Sequence, residues 1–598
     1  MINRNFFRVL TLAALLSGSL AVDASACTNI IVSKGASKDG SCMVSYAADS
    51  HWLFGELYYR PAATYEAGTM LPVYDWDSHR YIGEIDQVAR TYKTVGNMNE
   101  HQLIIGETTW GGRPELEDKR GGIDYGSLIY ITLQRAKTAR EAIQVMTDLV
   151  AKYGYASEGE TFSIADKDEA WILEMIGKGM NIKNGVNIMK GAVWVAMRVP
   201  DGYICAHANQ ARIGNFPLDD PENCLYAKDV ISFARRKGYF TGEDEEFSFK
   251  KAYCPVDFGT VRGCDARVWS AYNILSNGWF TYVEGDKLVT RDAYNFIEYA
   301  MGYDLEGDLP LFIRPQKRLT VKDVADVMRD HYEGTPMDMT ADIGAGGNAL
   351  PYRWRPMEFT VDGKTYVNER AIATQQTGFW FVGQARSYYP DEIGGLLWFG
   401  TDDAATSYLT PIYTNIDKVP ECFREGNGDL LHYSATSSFW INNRVANACY
   451  KMYNQMAPHV RKHIDAFENE QMFKKVREAD STALTLYNKQ VVKIQGKLEK
   501  AKKHDVMISG DPFASVRKYL TKYTVETADA QFNAWVALEE ELLVKFIDGN
   551  VKPQNEDGSF KHSQYSEGVP DKIEQPGYTD HWKEVVAEDA GETLQVKE

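Results

Sequence analysis

Residues 27–33 read Cys27-Thr28-Asn29-Ile30-Ile31-Val32-Ser33, a short run rich in β-branched side chains that predicts a β-strand. The turn signal Asp39-Gly40 follows, and Met43 to Tyr46 form a second short run that predicts the returning strand. The sequence therefore predicts a β-hairpin that begins with a cysteine.

The residues before Cys27 have the pattern of a secretory signal peptide. Arg4 and Arg8 give a basic start, residues 9–20 are mostly apolar, and residues 24–26, Ala-Ser-Ala, form a small-x-small cleavage site. No later stretch reaches the roughly 20 apolar residues that a transmembrane helix needs. We therefore expect a bacterial protein that is exported to the periplasm or secreted, without a transmembrane segment and with Cys27 as the first residue after cleavage.

The bulk composition is that of a globular protein with an acidic balance. The chain has 598 residues, of which 44% are hydrophobic and 25% charged, and its formal net charge is -18. This length exceeds what a single hydrophobic core usually serves, so we expect one large unit with an appended region. The negative charge argues against a nucleic-acid partner and against docking on anionic membranes, since both need clustered Lys and Arg.

Strands and helices are interspersed in the first half of the chain. Apolar residues at helical spacing predict a helix over residues 127–152, and Asp166-Lys167-Asp168-Glu169 predicts a hairpin turn. Further strands are predicted at residues 103–105, 162–165, 170–174, 193–199 and 203–207. This pattern indicates a layered α+β or α/β domain.

The character of the sequence changes after about Lys451. Apolar residues recur at helical spacing over residues 484–498 and 532–546, and Gly510-Asp511-Pro512 separates the two runs. We predict three parts of the chain: a signal peptide over residues 1–26, the main domain over residues 27–455, and a helical C-terminal region with a polar tail over residues 456–598.

Eight cysteines are spread through the chain, without a CxxC pair and without a Cys/His spacing typical of a zinc site. Export makes disulfides chemically accessible, and Cys254 and Cys264 are spaced to close a short loop. Setting Cys27 aside leaves an odd number, so at least one further thiol stays free. Most of these cysteines are expected to be buried structural residues.

Three interpretations of Cys27 are open from the residues alone. It is an ordinary small residue beside a cleavage site, the acylated cysteine of a lipoprotein, or an N-terminal nucleophile. The lipoprotein peptidase prefers Leu three residues before the cysteine, whereas this chain has Ala24 there. As a nucleophile, Cys27 would carry thiol and α-amine on one residue, with ordinary pKa values of about 8.5 and about 8, so that proton transfer between them is nearly isoenergetic.

The third interpretation gains support from sequence blocks that follow one another along the chain. They are residues 27–33, Lys38-Asp39-Gly40-Ser41, Asp49, Asn99-Glu100-His101, residues 105–113, Ala208-Asn209-Gln210, residues 224–227, residues 374–381 and residues 394–400. Together they resemble the cysteine dipeptidases of the N-terminal-nucleophile hydrolase superfamily, relatives of secernins, bile salt hydrolases and penicillin V acylases. The resemblance implies an α+β fold, a four-layer αββα sandwich of two antiparallel sheets between helices.

The resemblance also implies roles for five residues. Cys27 would be the nucleophile and its amine the general base, and Asp49 would orient both groups. Asn209 would donate to the oxyanion, Thr109 occupies a second oxyanion position at which relatives carry Asn, and Arg267 would stabilise the charged site. Taken singly, Asp49, Asn209 and Arg267 are equally compatible with cap, turn or ion-pair roles.

One position departs from the pattern of that family. Where relatives have Arg-Asn-x-Asp, this chain has Tyr46-Ala47-Ala48-Asp49, so the guanidinium expected beside the nucleophile is missing. Tyr46 carries no charge, so either another Arg compensates or the substrate preference differs. Glu107 and Arg113 would hold the charged ends of a dipeptide or be surface charges, and His101 is expected to be a structural hydrogen-bonding residue.

The sequence thus predicts a hydrolase that acts on dipeptides and needs no metal or organic cofactor. The enzyme alternative is an amidase that cleaves the acyl-amide bonds of conjugated bile salts or penicillin V. The alternative from another class is a lipid-anchored binding or scaffold protein. Acylation of Cys27 would remove both nucleophile and base, so this last interpretation excludes the first two. The sequence leaves a homo-oligomer open.

Overall fold

The predicted hairpin is present in the computed structural model, which describes residues 27–501 and 511–597. Strand Thr28–Val32 pairs antiparallel with Cys42–Asp49. Between them the chain passes through a 3-10 turn at Lys34–Ala36 and through Gly40, whose φ of 76° suits the predicted Asp-Gly turn. The signal-peptide prediction falls on residues 1–26, which lie outside the described part of the chain.

Two antiparallel sheets contain fourteen strands of the described chain. In chain order the strands are β1 (Thr28–Val32), β2 (Cys42–Asp49), β3 (Tyr59–Arg60), β4 (Thr94–Val95), β5 (Met98–Asn99), β6 (Ile104–Trp110), β7 (Gly159–Ala165), β8 (Ala170–Gly177), β9 (Ala192–Arg198), β10 (Ile204–His207), β11 (Cys224–Tyr226), β12 (Thr377–Ala385), β13 (Gly395–Thr401) and β14 (Thr410–Tyr413). Sheet A has the order β10-β1-β2-β12-β13-β14, and sheet B has the order β11-β9-β8-β7-β6-β5-β4-β3. The strands predicted after the hairpin are all present, as β6 to β10.

The described helices are α1 (Tyr125–Leu133), α2 (Ala139–Tyr153), α3 (Val230–Lys237), α4 (Phe249–Tyr253), α5 (Phe258–Thr260), α6 (Ala266–Leu275), α7 (Ile297–Ala300), α8 (Val321–Val327), α9 (Asp391–Gly394), α10 (Ser438–Cys449), α11 (Tyr453–Glu470), α12 (Val476–Ala501), α13 (Ala514–Lys545) and α14 (Asp580–Ala590). Shorter strands form two-stranded pairs outside the two sheets, namely Ala63–Thr64 with Arg90–Thr91, Met70–Tyr74 with Tyr81–Asp86, Ile182–Lys183 with Val186–Asn187, Trp279–Glu284 with Lys287–Asp292, Glu358–Val361 with Lys364–Val367, and His562–Ser563 with Ser566–Pro570. The chain is therefore a mixed helix-and-sheet protein with a helical C-terminal region.

The alternation of side chains along β8 shows how the sheets pack. Ile172 and Ile176 belong to the core shared with sheet A, whereas Trp171, Leu173 and Met175 belong to a separate core under α1 and α2. Successive side chains of a strand point to opposite faces, so sheet B has sheet A on one face and helices on the other. Helices α6 and α8 contact strands of sheet A.

Gly106 on β6 allows a close approach of sheet B to the hairpin in sheet A. A Cβ at this position would lie 2.9 Å from the Asn29 side-chain amide and 3.2 Å from Tyr46 Cβ. A larger residue would therefore push β6 away from β1 and β2. The glycine lets the next residue of the strand, Glu107, lie beside the first residue of the hairpin.

The single helix predicted over residues 127–152 is wrong, because this segment forms two helices. Helix α1 ends at Leu133 and α2 begins at Ala139. The Asn99 side chain donates to two carbonyls at and just after the end of α1, at 2.8 and 2.7 Å, and the Thr138 hydroxyl caps α2. The apolar spacing continues across the break because both helices cover the same face of sheet B.

The eight cysteines all lie in the described residues, and all are free thiols. The pairing of Cys254 with Cys264 was therefore wrong. Cys254 follows α4, and Cys264 lies in the π-helical turn Val261–Asp265 that leads into α6, so each is held in its own helical segment. Apart from Cys264 the cysteines are buried, in agreement with a structural role for most of them.

The C-terminal region is helical, as predicted, and packs on the rest of the chain. Val445, Ile464, Trp535 and Leu538 share a core between α10, α11 and α13. The polar tail includes a strand pair and α14, and the Thr579 amide donates to the Gly347 carbonyl at 3.1 Å. Within residues 27–501 and 511–597, no helix has both the length and the apolar character needed to cross a bilayer.

Candidate active site

Cys27 lies just before β1, where β2 of the same sheet and β6 of the facing sheet come together. Its side chain is buried, and its Sγ lies 3.8 Å from the Tyr46 hydroxyl oxygen and 3.6 Å from Glu107 Oε1. The Tyr46 hydroxyl in turn donates to Glu107 Oε1. Pairing of β1 with β2 positions Tyr46, and the close approach of the sheets at Gly106 positions Glu107.

Asp49 is the last residue of β2, and its carboxylate is buried. Arg370 donates to Oδ2 at 2.5 Å, and the Thr377 hydroxyl donates to Oδ1 at 2.6 Å. Burial raises the pKa of Asp49, while Arg370 and Thr377 oppose this shift. Both the carboxylate and the backbone of Asp49 affect the pKa of the Cys27 thiol, so the predicted orienting residue lies near the predicted nucleophile.

A buried arginine joins Cys27 to the predicted oxyanion residues. Arg267 on α6 donates from Nη1 to the Cys27 carbonyl at 2.6 Å, and from Nη2 to Asn209 Oδ1 at 2.8 Å. Asn209 Nδ2 donates to the Thr109 carbonyl at 2.6 Å. The Thr109 hydroxyl itself donates to Glu160 Oε2 at 3.0 Å. Direct contacts thus connect four of the five residues named by the resemblance, namely Cys27, Arg267, Asn209 and Thr109.

Two arginines stand near the position where Tyr46 replaces the expected guanidinium. Arg370 precedes β12 and binds the Asp49 carboxylate, and Arg267 binds the Cys27 carbonyl. Burial, together with the charge of Arg370, lowers the pKa of Arg267 to about 10, so its side chain stays charged at neutral pH. Positive charge is therefore supplied from α6 and from the loop before β12 rather than from β2.

Two buried carboxyls face each other beside Cys27. Glu107 is buried, so its interpretation as a surface charge was wrong, and Glu160 on β7 was not anticipated from the sequence. Burial raises the pKa of both groups, and the charge of Glu107 adds to the shift of Glu160, whose pKa lies well above its ordinary value. The one sequence signal for Glu160 is its place two residues before the run 162–165 that predicts a strand.

Ionisation of the Cys27 thiol is strongly disfavoured in this environment. Burial raises its pKa well above the ordinary value, and the charges of Glu107 and Asp49 raise it further. Hydrogen bonding with the Asp49 backbone and with Tyr46 acts in the opposite direction, with smaller effect. Formation of the thiolate therefore needs a base or a cation placed directly beside the sulfur.

The histidines near these strands contact residues other than Cys27. His207 on β10 bridges the hydroxyls of Thr108 and Ser163, at 2.7 and 2.6 Å, and burial lowers its pKa to about 3. His101 Nδ1 lies 3.5 Å from an Asp391 oxygen. In the described part of the chain no histidine hydrogen-bonds to Cys27 Sγ, so these residues form no Cys–His pair.

Arg113, the other residue considered for holding a charged end of a dipeptide, makes contacts outside the site around Cys27. The Arg113 guanidinium donates to the Ala252 carbonyl at 2.6 Å and lies 3.8 Å from the centre of the Tyr239 ring. Its role in the structure is therefore to hold α4 against the loop that follows β6.

Three side chains of the types that bind metal ions lie together in the C-terminal region, on α11 and α13. They are His459, His463 and Glu541, and none of them belongs to the site around Cys27.

Comparisons with known proteins agree in pointing to peptidases. The sequence model of Peptidase family C69 matches residues 55–466. A probable dipeptidase of Latilactobacillus sakei is 24% identical over 442 residues, which cover 71% of this chain and 81% of that protein. Dipeptidase A of Lactobacillus helveticus is 24% identical over 389 residues, or 64% and 68% of the two chains. A dipeptidase of Bifidobacterium longum is 25% identical over 350 residues, or 57% and 55%.

Proposed function

The chain belongs to peptidase family C69 and is a peptide hydrolase, and from this premise we propose that it is an exported cysteine dipeptidase. Cleavage of the signal peptide after Ala26 would free the α-amine of Cys27, which then serves as an N-terminal nucleophile. The observation that supports this proposal is the arrangement around Cys27. A buried thiol at the start of the first strand lies beside Asp49 and Glu107, and Arg267 connects its carbonyl to Asn209.

The proposed reaction proceeds through a thioester. The Cys27 sulfur attacks the carbonyl carbon of the peptide bond while the Cys27 amine accepts the thiol proton. The oxygen of the tetrahedral intermediate accepts a hydrogen bond from Asn209, whose amide nitrogen has two hydrogens and is aligned by Arg267 and Thr109. The amine then protonates the leaving nitrogen, the C–N bond breaks, and the C-terminal amino acid leaves.

Water completes the proposed cycle. It attacks the thioester carbon and gives a proton to the Cys27 amine, and the second tetrahedral intermediate expels the sulfur. The amine returns the proton to the thiolate, and the N-terminal amino acid is released. An α-ammonium at Cys27 would also offset the carboxylates of Asp49 and Glu107, which raise the pKa of the thiol. No metal or organic cofactor takes part in these steps.

We extend the proposal to the fold and the division of the chain. Sheets A and B, with α1 and α2 packed on sheet B and α6 and α8 on sheet A, support the four-layer αββα fold of N-terminal-nucleophile hydrolases over residues 27–455. Residues 456–598 would then be an appended helical region. Export to the periplasm or the medium follows from the signal-peptide pattern of residues 1–26.

Amino-acid release from a dipeptide panel, by protein matured at Cys27, tests the proposed activity. We expect turnover of dipeptides and a free α-amine on Cys27 in the intact mass of the N-terminal peptide. A diacylglycerol adduct on that peptide would refute the mechanism, because acylation removes the base. Preferred turnover of penicillin V or a conjugated bile salt would instead make the protein an acyl-amide hydrolase.

The Arg267→Lys variant is expected to lower kcat/KM for the best dipeptide by about 10- to 100-fold. A lysine offers one point charge and cannot hold the Cys27 carbonyl and Asn209 Oδ1 at the same time. Steady-state kinetics measures the loss, which should fall mainly on kcat because the reacting groups are displaced. Arg291→Lys, at an exposed ion pair with Glu284, is the matched control and should be unchanged. Equal kinetics for both variants would contradict the positioning role of Arg267.

A further inference from the structure

We propose that Glu107, supported by Glu160, binds the α-ammonium group of the substrate's N-terminal residue and so restricts the enzyme to peptides with a free N-terminus. This inference rests on the proposed dipeptidase function and adds to it the group that selects the substrate. It assigns to a buried pair of carboxyls a role that the reaction at Cys27 does not itself require.

The two carboxyls are built into neighbouring strands of sheet B. Thr109 on β6 lies opposite Glu160 on β7, and Glu107 is two residues away on the same face of β6. Glu107 is 1% exposed and Glu160 is 0% exposed. Glu107 Oε1 accepts from Tyr46, and Glu160 Oε2 accepts from the Thr109 hydroxyl at 3.0 Å. The pair is therefore held rigidly in the interior.

No cationic side chain of the described residues balances the charge of this pair. Their ion pairs include none with Glu107 or Glu160, since Arg370 pairs with Asp49 and Arg267 binds neutral acceptors. Apart from the hydrogen bond between the two carboxyls, the buried Glu107 Oε2 and Glu160 Oε1 have no hydrogen-bond partner. Burial and the charge of Glu107 raise the pKa of Glu160 well above its ordinary value, and burial raises the pKa of Glu107. A buried charge without a partner costs several kcal/mol, so the α-ammonium of Cys27 and a cationic group of the ligand are the two candidate partners.

The distances place the substrate amine within reach of that charge. A sulfur in position to attack lies roughly 3–3.5 Å from the carbonyl carbon. The α-nitrogen of the same residue is two bonds from that carbon, at about 2.5 Å. Glu107 Oε1 is 3.6 Å from Cys27 Sγ, so an α-ammonium on the Glu107 side of the attacked carbonyl carbon reaches this oxygen. Tyr46, which shares Oε1, is neutral and does not compete as a cation.

An N-acylated peptide would place a neutral amide against the same carboxylate. It would lose the charge pair and leave Glu107 buried without a counter-charge, which costs more than the missing contact alone. The arrangement therefore disfavours the acyl groups of penicillin V and bile salts, which have no amine at this position. The same carboxylate lies 3.6 Å from Sγ of Cys27, the residue that carries the α-amine, so the experiment must separate binding of the substrate amine from an effect on the Cys27 amine.

The test compares the best dipeptide of the panel with its analogue in which hydrogen replaces the α-amino group. Matured wild-type protein should favour the dipeptide by about 100-fold or more in kcat/KM. In Glu107→Gln the dipeptide should lose about 100-fold, while the deaminated analogue changes by less than about 3-fold, so that the preference disappears. Glu66→Gln, at an exposed glutamate, is the control and should retain the wild-type preference.

Each outcome has a distinct meaning. If Glu107→Gln slows both substrates equally, Glu107 serves the Cys27 amine or the fold, and the inference is wrong. If wild-type protein cleaves dipeptides and deaminated analogues equally well, the inference fails while the dipeptidase proposal stands. If wild-type protein cleaves no dipeptide, the proposed function itself fails.

A second measurement covers the case in which Glu107→Gln does not fold. Wild-type protein is then titrated with the released N-terminal amino acid and with its deaminated analogue, as competitive inhibitors. Inhibition by the amino acid should be at least about 30-fold stronger. Equal inhibition by the two compounds would overturn the inference without any variant.

Discussion

The Cys27→Ala variant is expected to lower kcat for dipeptide hydrolysis by at least about 10³-fold. The Cys27 sulfur is the atom that would form the thioester, and the loss of a nucleophile leaves only the oxyanion donors and substrate binding to assist attack by water. Amino-acid release at saturating dipeptide, followed by mass spectrometry, measures the residual rate. The mass of the N-terminal peptide verifies that processing occurred at the same bond.

Cys224→Ala is the matched control, because Cys224 is also a buried free thiol but lies on β11, at the edge of sheet B. This variant should keep the wild-type rate to within about 3-fold, since a cysteine-to-alanine change away from the reacting atoms acts only through stability. Full activity in Cys27→Ala would show that another group is the nucleophile. Loss of activity in both variants would indicate a general sensitivity of the fold to the loss of buried thiols.

The Asp480→Ala variant is expected to reduce the free energy of unfolding by about 3–5 kcal/mol. Asp480 on α12 binds Arg386, directly after β12, through Nη1 at 2.6 Å and Nη2 at 3.1 Å. The pair is buried, and Tyr413 on β14 donates to the same carboxylate at 2.7 Å. Removal of the carboxylate leaves the Arg386 charge buried and loosens α12 from the edge of sheet A.

Urea unfolding followed by tryptophan fluorescence measures this effect, and limited proteolysis reports whether α12 is released first. Asp529→Ala on α13 is the control, since Asp529 is exposed and its removal should change stability by less than about 0.5 kcal/mol. Equal unfolding midpoints for the two variants would show that the ion pair does not hold the C-terminal region in place.

Local pattern was enough to predict several parts of this protein. The β-branched run after Cys27 and the Asp-Gly turn predicted β1 and β2, because strand propensity and turn chemistry are properties of a few neighbouring residues. The apolar spacing over residues 484–498 and 532–546 predicted helical segments that lie in α12 and α13. The same spacing failed over residues 127–152, because two helices on one sheet face keep a common apolar pattern across a break.

The candidate site contains residues whose role such patterns do not predict. Cys27 could be named from the cleavage pattern before it and from the ordered sequence blocks, since both are read without knowledge of the fold. Glu160 and Arg370 could not, because they join the site only through the pairing of β6 with β7 and the approach of the loop before β12 to Asp49. The burial of the Glu107 charge could not be predicted either, because the sequence alone does not tell a buried carboxylate in a strand from an exposed one.

Local propensities thus account for the elements and for the reactive residue, whereas long-range packing sets burial, pairing and charge around that residue. A pKa depends on which groups lie within a few ångströms and on how much water is excluded, and neither property is encoded in adjacent residues. The packing of sheet A against sheet B at Gly106 is what brings Tyr46 and Glu107 to the sulfur of Cys27.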